Sequence, residues 1–146
     1  MSLLLEEALQ IAQEVIAWSH ANQTGALTVA VLDSGGHPRA VLRDDASEFL
    51  RVDIAIGKAW GALGMGVPSR LLAEKAPHFL AAIAVTSGGR VVPVPGGVLV
   101  RREGQIVGAV GVSGDTSEVD EEAAVHAIEA AGLQPDYGQN PEWRRP

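Results

Sequence analysis

The segment Asp33-Ser34-Gly35-Gly36-His37 brings a hydroxyl, an imidazole and a carboxylate together within five residues. These are the residue types of a catalytic triad, in which a histidine takes a proton from the serine and a carboxylate orients the histidine. A triad, however, is built from separate parts of a fold, whereas Asp, Ser and Gly in succession are the residues that a tight turn between strands prefers. We therefore predict a hairpin turn here, with Ser34 as a turn residue rather than a nucleophile.

A second glycine-bearing segment, GAVGVSG at 108–114, precedes a predicted helix. Its Gly-x-x-Gly-x-x-Gly spacing is not that of a dinucleotide-binding turn, and no lysine follows as it would in a phosphate loop. It is not a Gly-x-Ser-x-Gly nucleophile elbow either, because Asp115 occupies the last position. Four acidic residues crowd the start of the helix: Asp115, Glu118, Asp120 and Glu121. We predict a helix cap here rather than an anion site.

Cationic residues and paired glycines offer a third candidate site. Arg43 ends a predicted strand, Lys58 lies on the helix that follows, and Gly96-Gly97 lie in a loop. Two interpretations stay open: the cations belong to a solvated face of ion pairs, or they bind a small carboxylate beside the bare glycine backbone. His37, at a hairpin tip, is the histidine best placed to contact a ligand.

Composition excludes several classes of protein. The 146 residues carry a formal charge of −7, which argues against nucleic acid and anionic membranes as partners. The chain has no cysteine, which removes disulfides and thiolate metal sites and is compatible with a cytoplasmic protein. None of the four histidines lies four residues from another, so we predict no metal site.

Hydrophobic periodicity predicts the elements that must position these residues. Apolar residues at helical spacing from Leu4 to Trp18 predict a first helix that ends near Asn22 and Gly25, and those from Phe49 to Leu63 predict a second helix that begins near Ser47. Gly57 and Gly61 in the second helix indicate close packing against another element. Further segments are predicted as strands at 27–32, 39–42, 97–102 and 105–113, a short helix at 70–75 and a final helix at 117–131.

Two segments are less well determined by their pattern. Within residues 79–95, the segment 79–85 fits a strand or a helix, and the Pro-containing segment 134–146 reads as a linker-like tail. The order of the elements, with short hairpin connections, predicts an α+β domain at 1–133: an antiparallel sheet flanked by helices.

Several segments together resemble one family, the GlcG/HbpS-like haem-binding family, which also occurs as the C-terminal domain of PduO-type corrinoid proteins. The segments that carry the resemblance are VAVLDSGGHPRAVLRDDA (29–46), IAIGKAWGA (54–62), PGGVLV (95–100) and GQIVGAVGVSGDTSEVDEEAA (104–124). The resemblance implies a profilin-like fold, a haem or corrinoid ligand, and assembly into homodimers or larger rings up to octamers. Leu99 stands where the family commonly has a proline.

The resemblance carries a set of family positions onto this chain, most of them architectural: Asp33, Gly36, His37, Arg43, Lys58, Gly96, Gly97, Gly108, Gly111, Ser113, Gly114, Asp120 and Glu121. We interpret the protein as a cytoplasmic, oligomeric small-molecule-binding protein. We expect one ligand pocket, completed by a neighbouring subunit, to be lined by His37, Arg43, Lys58, Gly96 and Gly97.

Two alternatives from other classes accompany this interpretation. One is a small cofactor-independent enzyme acting on an anionic metabolite, with Arg43 and Lys58 orienting the substrate and His37 or an acidic residue as general acid or base. The other is a purely structural assembly module. The sequence names no catalytic residue.

Overall fold

The computed structural model describes residues 1–138. The helices are α1 (Leu5–Asn22), α2 (Leu50–Met65), α3 (Ser69–Leu72), α4 (Pro77–Thr86) and α5 (Ser117–Ala130). The strands are β1 (Thr28–Asp33), β2 (Pro38–Arg43), β3 (Gly97–Arg102), β4 (Gln105–Ser113) and β5 (Gln134–Asp136). The predicted helices and hairpins are confirmed, and the segment left open between strand and helix lies within α4. Within this part of the chain, no helix is both long and apolar enough to cross a bilayer.

The strands form one antiparallel sheet in the order β2-β1-β4-β3-β5, which confirms the α+β class. Thr28, at the start of β1, pairs with Arg43 of β2 on one side and with Ser113 of β4 on the other. Polar ends of three strands therefore meet at one end of the sheet. The turn that carries His37 lies at the opposite end.

Helices cover both faces of the sheet. Helices α1 and α5 pack on one face, where Val29 and Val31 of β1 join their core. Helix α2 packs on the other face, where Leu32 meets Ala59. The two core clusters follow from the alternation of side chains along a strand, which sends neighbouring residues to opposite faces.

Helix α2 lies in backbone contact with the sheet because glycines remove the side chains that would hold it away. A β-carbon placed on Gly111 of β4 would lie 1.9 Å from the carbonyl oxygen of Ala55. Within α2, β-carbons at Gly57 and Gly61 would lie 2.5 and 2.8 Å from side chains of residues 91–92. The close packing that the sequence predicts for these two glycines is confirmed.

The face that α2 buries is not the one that its bulky residues indicate. The pattern that predicts this helix consists of Phe49, Val52, Ile56, Ala59 and Leu63, of which only Ala59 is buried. The buried face instead carries small residues and one cation: Ala55, Gly57, Lys58, Ala59, Gly61 and Ala62. Ala55 and Ala59 face the sheet, Gly57 and Gly61 face residues 91–92, and the larger side chains are turned outward.

The predicted tail begins with an edge strand rather than with linker. Strand β5 pairs with β3 over Leu99 to Arg101. It thereby satisfies backbone groups of β3 that an exposed sheet edge would leave unpaired. The remaining tail prolines, Pro141 and Pro146, lie outside the described residues, and the domain boundary at 133 stays a prediction.

Candidate ligand-binding surface

Three of the predicted site residues, Lys58, Gly96 and Gly97, do lie together, but inside the fold. Lys58 is only 3% exposed. Its Nζ donates to the carbonyl oxygen of Val112 at 2.8 Å and to Oδ2 of Asp120 at 3.1 Å. The lysine therefore joins α2, β4 and α5 and presents almost no surface to a ligand.

The paired glycines are occupied by the same lysine. A β-carbon on Gly96 would lie 2.8 Å from Nζ of Lys58, and one on Gly97 would lie 2.3 Å from the Lys58 carbonyl oxygen. The N–H of Gly97 donates to Oγ of Ser69 at 2.7 Å. The bare backbone that the sequence offers to a ligand is thus packed against the protein itself.

Burial perturbs both partners of the ion pair. It lowers the pKa of Lys58, and the charge of Asp120 offsets this only in part. Burial also raises the pKa of Asp120, against the charge of Lys58 and a hydrogen bond from the N–H of Asp115. Each charge is held in the interior by the other, so the pair acts as a structural unit.

Of the remaining predicted residues, Arg43 lies at the same end of the sheet as Ser113, the neighbour of Val112, and His37 lies at the opposite end. The Nη1 of Arg43 donates to the carbonyl oxygen of Ser47 at 2.6 Å. His37 precedes β2 and Arg43 ends it, a separation of roughly 20 Å along an extended strand. The five residues therefore do not line one pocket within this chain, and ligand-binding roles for His37 and Arg43 stay predictions.

The turn that contains Ser34 has the geometry of a hairpin, as predicted. Oδ1 of Asp33 accepts hydrogen bonds from the N–H groups of Gly35 at 3.0 Å and His37 at 3.1 Å. The N–H of Gly36 donates to the Asp33 carbonyl at 3.0 Å. Asp33 thus serves its own turn, and the N–H of Ser34 donates to Oγ of Ser2 at 3.0 Å.

The start of α5 is a helix cap, also as predicted. Thr116 is the N-cap residue, and its Oγ1 accepts from the N–H of Val119 at 3.3 Å. The N–H of Asp115 donates to Asp120, and that of Thr116 donates to Oδ1 of Asp115. These backbone N–H groups donate to side-chain oxygens of the protein itself.

The outward face of α2 forms a concave surface, which we call the Trp60 groove. It has a volume of about 410 Å³ and lies between α2 and the segment 89–92. Its lining consists of Leu50, Asp53, Ile54, Ile56, Gly57, Trp60, Gly89, Arg90 and Val92. The groove is apolar because the small residues of α2 face the sheet and leave the larger ones outside.

Two smaller hollows share Trp60 with the groove. One, of about 250 Å³, is formed with Ser34, Gly35 and Gly36 of the hairpin turn. The other, of about 210 Å³, includes Met65 of α2 and α4 residues. We call the groove and both hollows together the Trp60 surface, because this indole is the side chain common to all three.

The sequence contained a signal for Trp60 that the analysis of charged residues missed. Trp60 lies between Gly57 and Gly61, in a helix where glycines mark the packed positions. Trp60 lies three residues after Gly57 and directly before Gly61, so on a helix it borders the face on which these glycines make their close contact with residues 91–92. Arg90, by contrast, follows Gly88-Gly89 in a segment without periodicity, and no spacing rule connects it to Trp60.

This chain is similar to one protein family and to several proteins of known structure. The family described as "Haem degrading protein HbpS-like" matches residues 3–129. A structure of protein ORFY from Klebsiella pneumoniae is 28% identical, with a TM-score of 0.83, over 89% of this chain and 90% of that one. The structure of the PduOC:heme complex shares the fold, with a TM-score of 0.85 at 23% identity, over 93% of this chain and 99% of that one.

The chain belongs to the HbpS-like family, as the resemblance in its sequence implies. Among curated proteins it is similar to the corrinoid adenosyltransferase PduO of Citrobacter freundii, with 26% identity over 92% of this chain. The match spans 40% of the adenosyltransferase's length.

Proposed function

We propose that this protein binds a tetrapyrrole, haem or a corrinoid, on the Trp60 surface. The observation that carries the proposal is an exposed apolar groove around a partly buried indole, in a member of this family. A flat macrocycle can lie against such an indole, because aromatic rings stack with offset geometry and exclude water from both faces. The names of two similar proteins, a corrinoid adenosyltransferase and a heme complex, support the same class of ligand.

The lining fits the organic body of a tetrapyrrole. The groove volume of about 410 Å³ lies within the range of ligand pockets, ~300–1,000 Å³. Haem would bring an iron that proteins bind through His, Met, Cys or Tyr. The residues of these types beside Trp60 are Met65, which lines a hollow with it, and His37, which follows Gly36 of the other hollow.

Titration with haem tests the proposal. We expect a saturable Soret band shift with the wild-type protein, and we expect Trp60→Ala to weaken binding by about tenfold or more, since stacking of a large ring on an aromatic residue is worth on the order of 1–3 kcal/mol. Trp18→Ala is the matched control. Trp18 lies in α1 on the other face of the sheet, where its ring lies beside His126 of α5. Wild-type protein without a saturable shift, or equal affinities of the two variants, would contradict the proposal.

We also propose that the protein forms homo-oligomers, dimers or larger rings up to octamers, through α4. The ten residues of this helix, PHFLAAIAVT, include no Asp, Glu, Lys or Arg, and none is buried. Val85 is 83% exposed. A helix without charged residues that buries none of its side chains is suited to an interaction site, and a second copy is the partner that symmetric closure supplies. A cytoplasmic location is the remaining part of the proposal, and the cysteine-free composition is compatible with it.

Light scattering checks the oligomeric state. We expect the wild-type protein at micromolar concentration to have a multiple of the 15.2 kDa chain mass. Val85→Glu places a charge on the apolar helix and is expected to shift the protein toward the monomer, whereas Gln13→Glu on the exposed side of α1 is not. A wild-type mass of one chain would overturn the proposal, and an oligomer indifferent to Val85→Glu would exclude α4 as the interface.

A further inference from the structure

We infer that Arg90 determines which flat ligands the Trp60 groove accepts. In this structure its guanidinium covers the indole, and a ligand reaches that face only by displacing it. A ligand with a carboxylate on its edge gives the displaced guanidinium a new partner, and an uncharged ligand does not. The inference rests on the proposed function, since it concerns the same groove.

The first observation is the stack itself. The Cζ atom of Arg90 lies 3.8 Å from the centre of the Trp60 ring. This distance is well inside the limit of about 6 Å for a cation–π interaction, and indole is the aromatic ring that attracts cations best. The guanidinium and a stacked ligand ring cannot occupy the same face together, so binding there requires Arg90 to leave.

The second observation is that Arg90 lacks an acidic partner. Within residues 1–138, no carboxylate lies within 4.0 Å of its guanidinium, and the same is true of Arg39 and Arg43, whereas four other arginines are paired in this way: Arg51, Arg70, Arg101 and Arg102. The chain has 18 acidic and 11 basic residues, so the lack of an ion pair at Arg90 does not come from a shortage of carboxylates. Its bidentate donors remain available for a carboxylate that a ligand brings.

The third observation is that the backbone at Arg90 is held against α2, so only the Arg90 side chain has to move. The N–H of Val92 donates to the carbonyl oxygen of Gly57 at 3.3 Å, which ties the segment to α2. The carbonyl oxygen of Arg90 would lie only 2.6 Å from a β-carbon on Gly57, so the backbone at Arg90 lies against the helix. The Arg90 side chain is exposed and can swing from the indole to the rim of the groove without opening the fold.

These observations predict selectivity rather than affinity alone. An uncharged flat ligand replaces the cation–π stack and leaves the guanidinium to water or to Asp53, the carboxylate of the groove itself. A ligand of the same shape with a carboxylate edge replaces the stack and adds a charge-assisted hydrogen bond. Protoporphyrin IX and its dimethyl ester are such a pair, since they share one ring system and differ in whether the two edge groups are charged.

The experiment measures binding of both compounds, metal-free and in the same mild detergent, to wild-type protein, Arg90→Ala and Arg90→Lys. For the wild type we expect the acid to bind about tenfold more tightly than the ester. For Arg90→Ala we expect this ratio to fall to about one, with the ester binding about 2–5-fold more tightly than it binds the wild type, because the indole face is no longer covered. Arg90→Lys keeps the charge but not the planar fork, so its ratio lies between the two.

Arg39→Ala is the matched control, because it removes an exposed arginine that does not line the groove, and it is expected to leave the ratio at its wild-type value. An unchanged ratio in Arg90→Ala, with wild-type circular dichroism, overturns the inference and leaves the proposed function standing. Wild-type protein that binds neither compound overturns both.

Discussion

Lys58→Met is expected to lower the free energy of unfolding by about 3–5 kcal/mol, the range for removing one partner of a buried ion pair. The side chains of Lys58 and Asp120 are 3% and 2% exposed, so the variant leaves the carboxylate of Asp120 in the interior without its cation. Small domains have total stabilities of about 5–15 kcal/mol, and this loss is a large part of that. Urea denaturation followed by circular dichroism measures it.

The double variant Lys58→Met/Asp120→Asn is expected to recover much of the loss, because it removes both charges while the substituted amide retains an oxygen that can accept from the N–H of Asp115. Arg101→Met is the control, because it removes one partner of the ion pair between Arg101 and Asp136, whose side chains are 29% and 28% exposed. We expect it to lower the free energy of unfolding by less than about 1 kcal/mol. If Lys58→Met were as stable as the wild type, or the double variant no better than the single one, the pair would not have the structural role assigned to it.

Gly111→Ala is expected to lower the free energy of unfolding by about 3 kcal/mol or more, the upper end of the range for overpacked cores. The added carbon would lie 1.9 Å from the carbonyl oxygen of Ala55 and 3.1 Å from the backbone nitrogen of Ala59. Backbone atoms cannot turn aside as side chains do, so α2 would have to shift from the sheet. Because the outward side of α2 forms the Trp60 groove, haem binding should fall as well.

Gly64→Ala is the matched control, a glycine-to-alanine change in α2, the helix that Gly111 of β4 contacts. A β-carbon there meets nothing within 4 Å, and the backbone is helical. We expect this variant to gain up to about 1 kcal/mol, since Ala is a better helix former than Gly. Equal stability of the two alanine variants in thermal unfolding would show that the contact at Gly111 is not limiting.

The helices and hairpins could be predicted because local patterns specify them. The DSGGH turn has its own hydrogen-bond acceptor in Asp33, and the helical spacing of Leu4 to Trp18 extends over several turns. Helix α4 could not be distinguished from a strand, because a short uniformly apolar run has no period. Strand β5 was missed because three residues that pair only with a distant edge carry no local signal.

The candidate site was harder to predict, and Lys58 shows why. A lysine on a helix is normally solvated, so its charge and its distance from Gly96-Gly97 suggested a ligand contact. The structure gives it Asp120, 62 residues away, as a partner. A single sequence does not indicate such a pairing, because it does not show whether a lysine is buried or exposed.

Trp60 and Arg90 illustrate the converse. The indole could have been placed beside the glycine contact of α2, because it lies three residues after Gly57 on the helix. Its neighbour Arg90 comes from a segment 30 residues later whose path depends on how closely Val92 approaches Gly57. A sequence pattern indicates which face of a helix or strand is buried. A groove, in contrast, depends on the distance between two elements in the folded chain.

The backbone contact between Gly111 and Ala55 also has a kinetic consequence. Helix and sheet meet so closely there that a large flat molecule has no room between them, and the Trp60 surface lies on the solvent side. A ligand held on that side can depart without any element opening. A ligand bound there as proposed would therefore dissociate at a rate set by a few surface contacts.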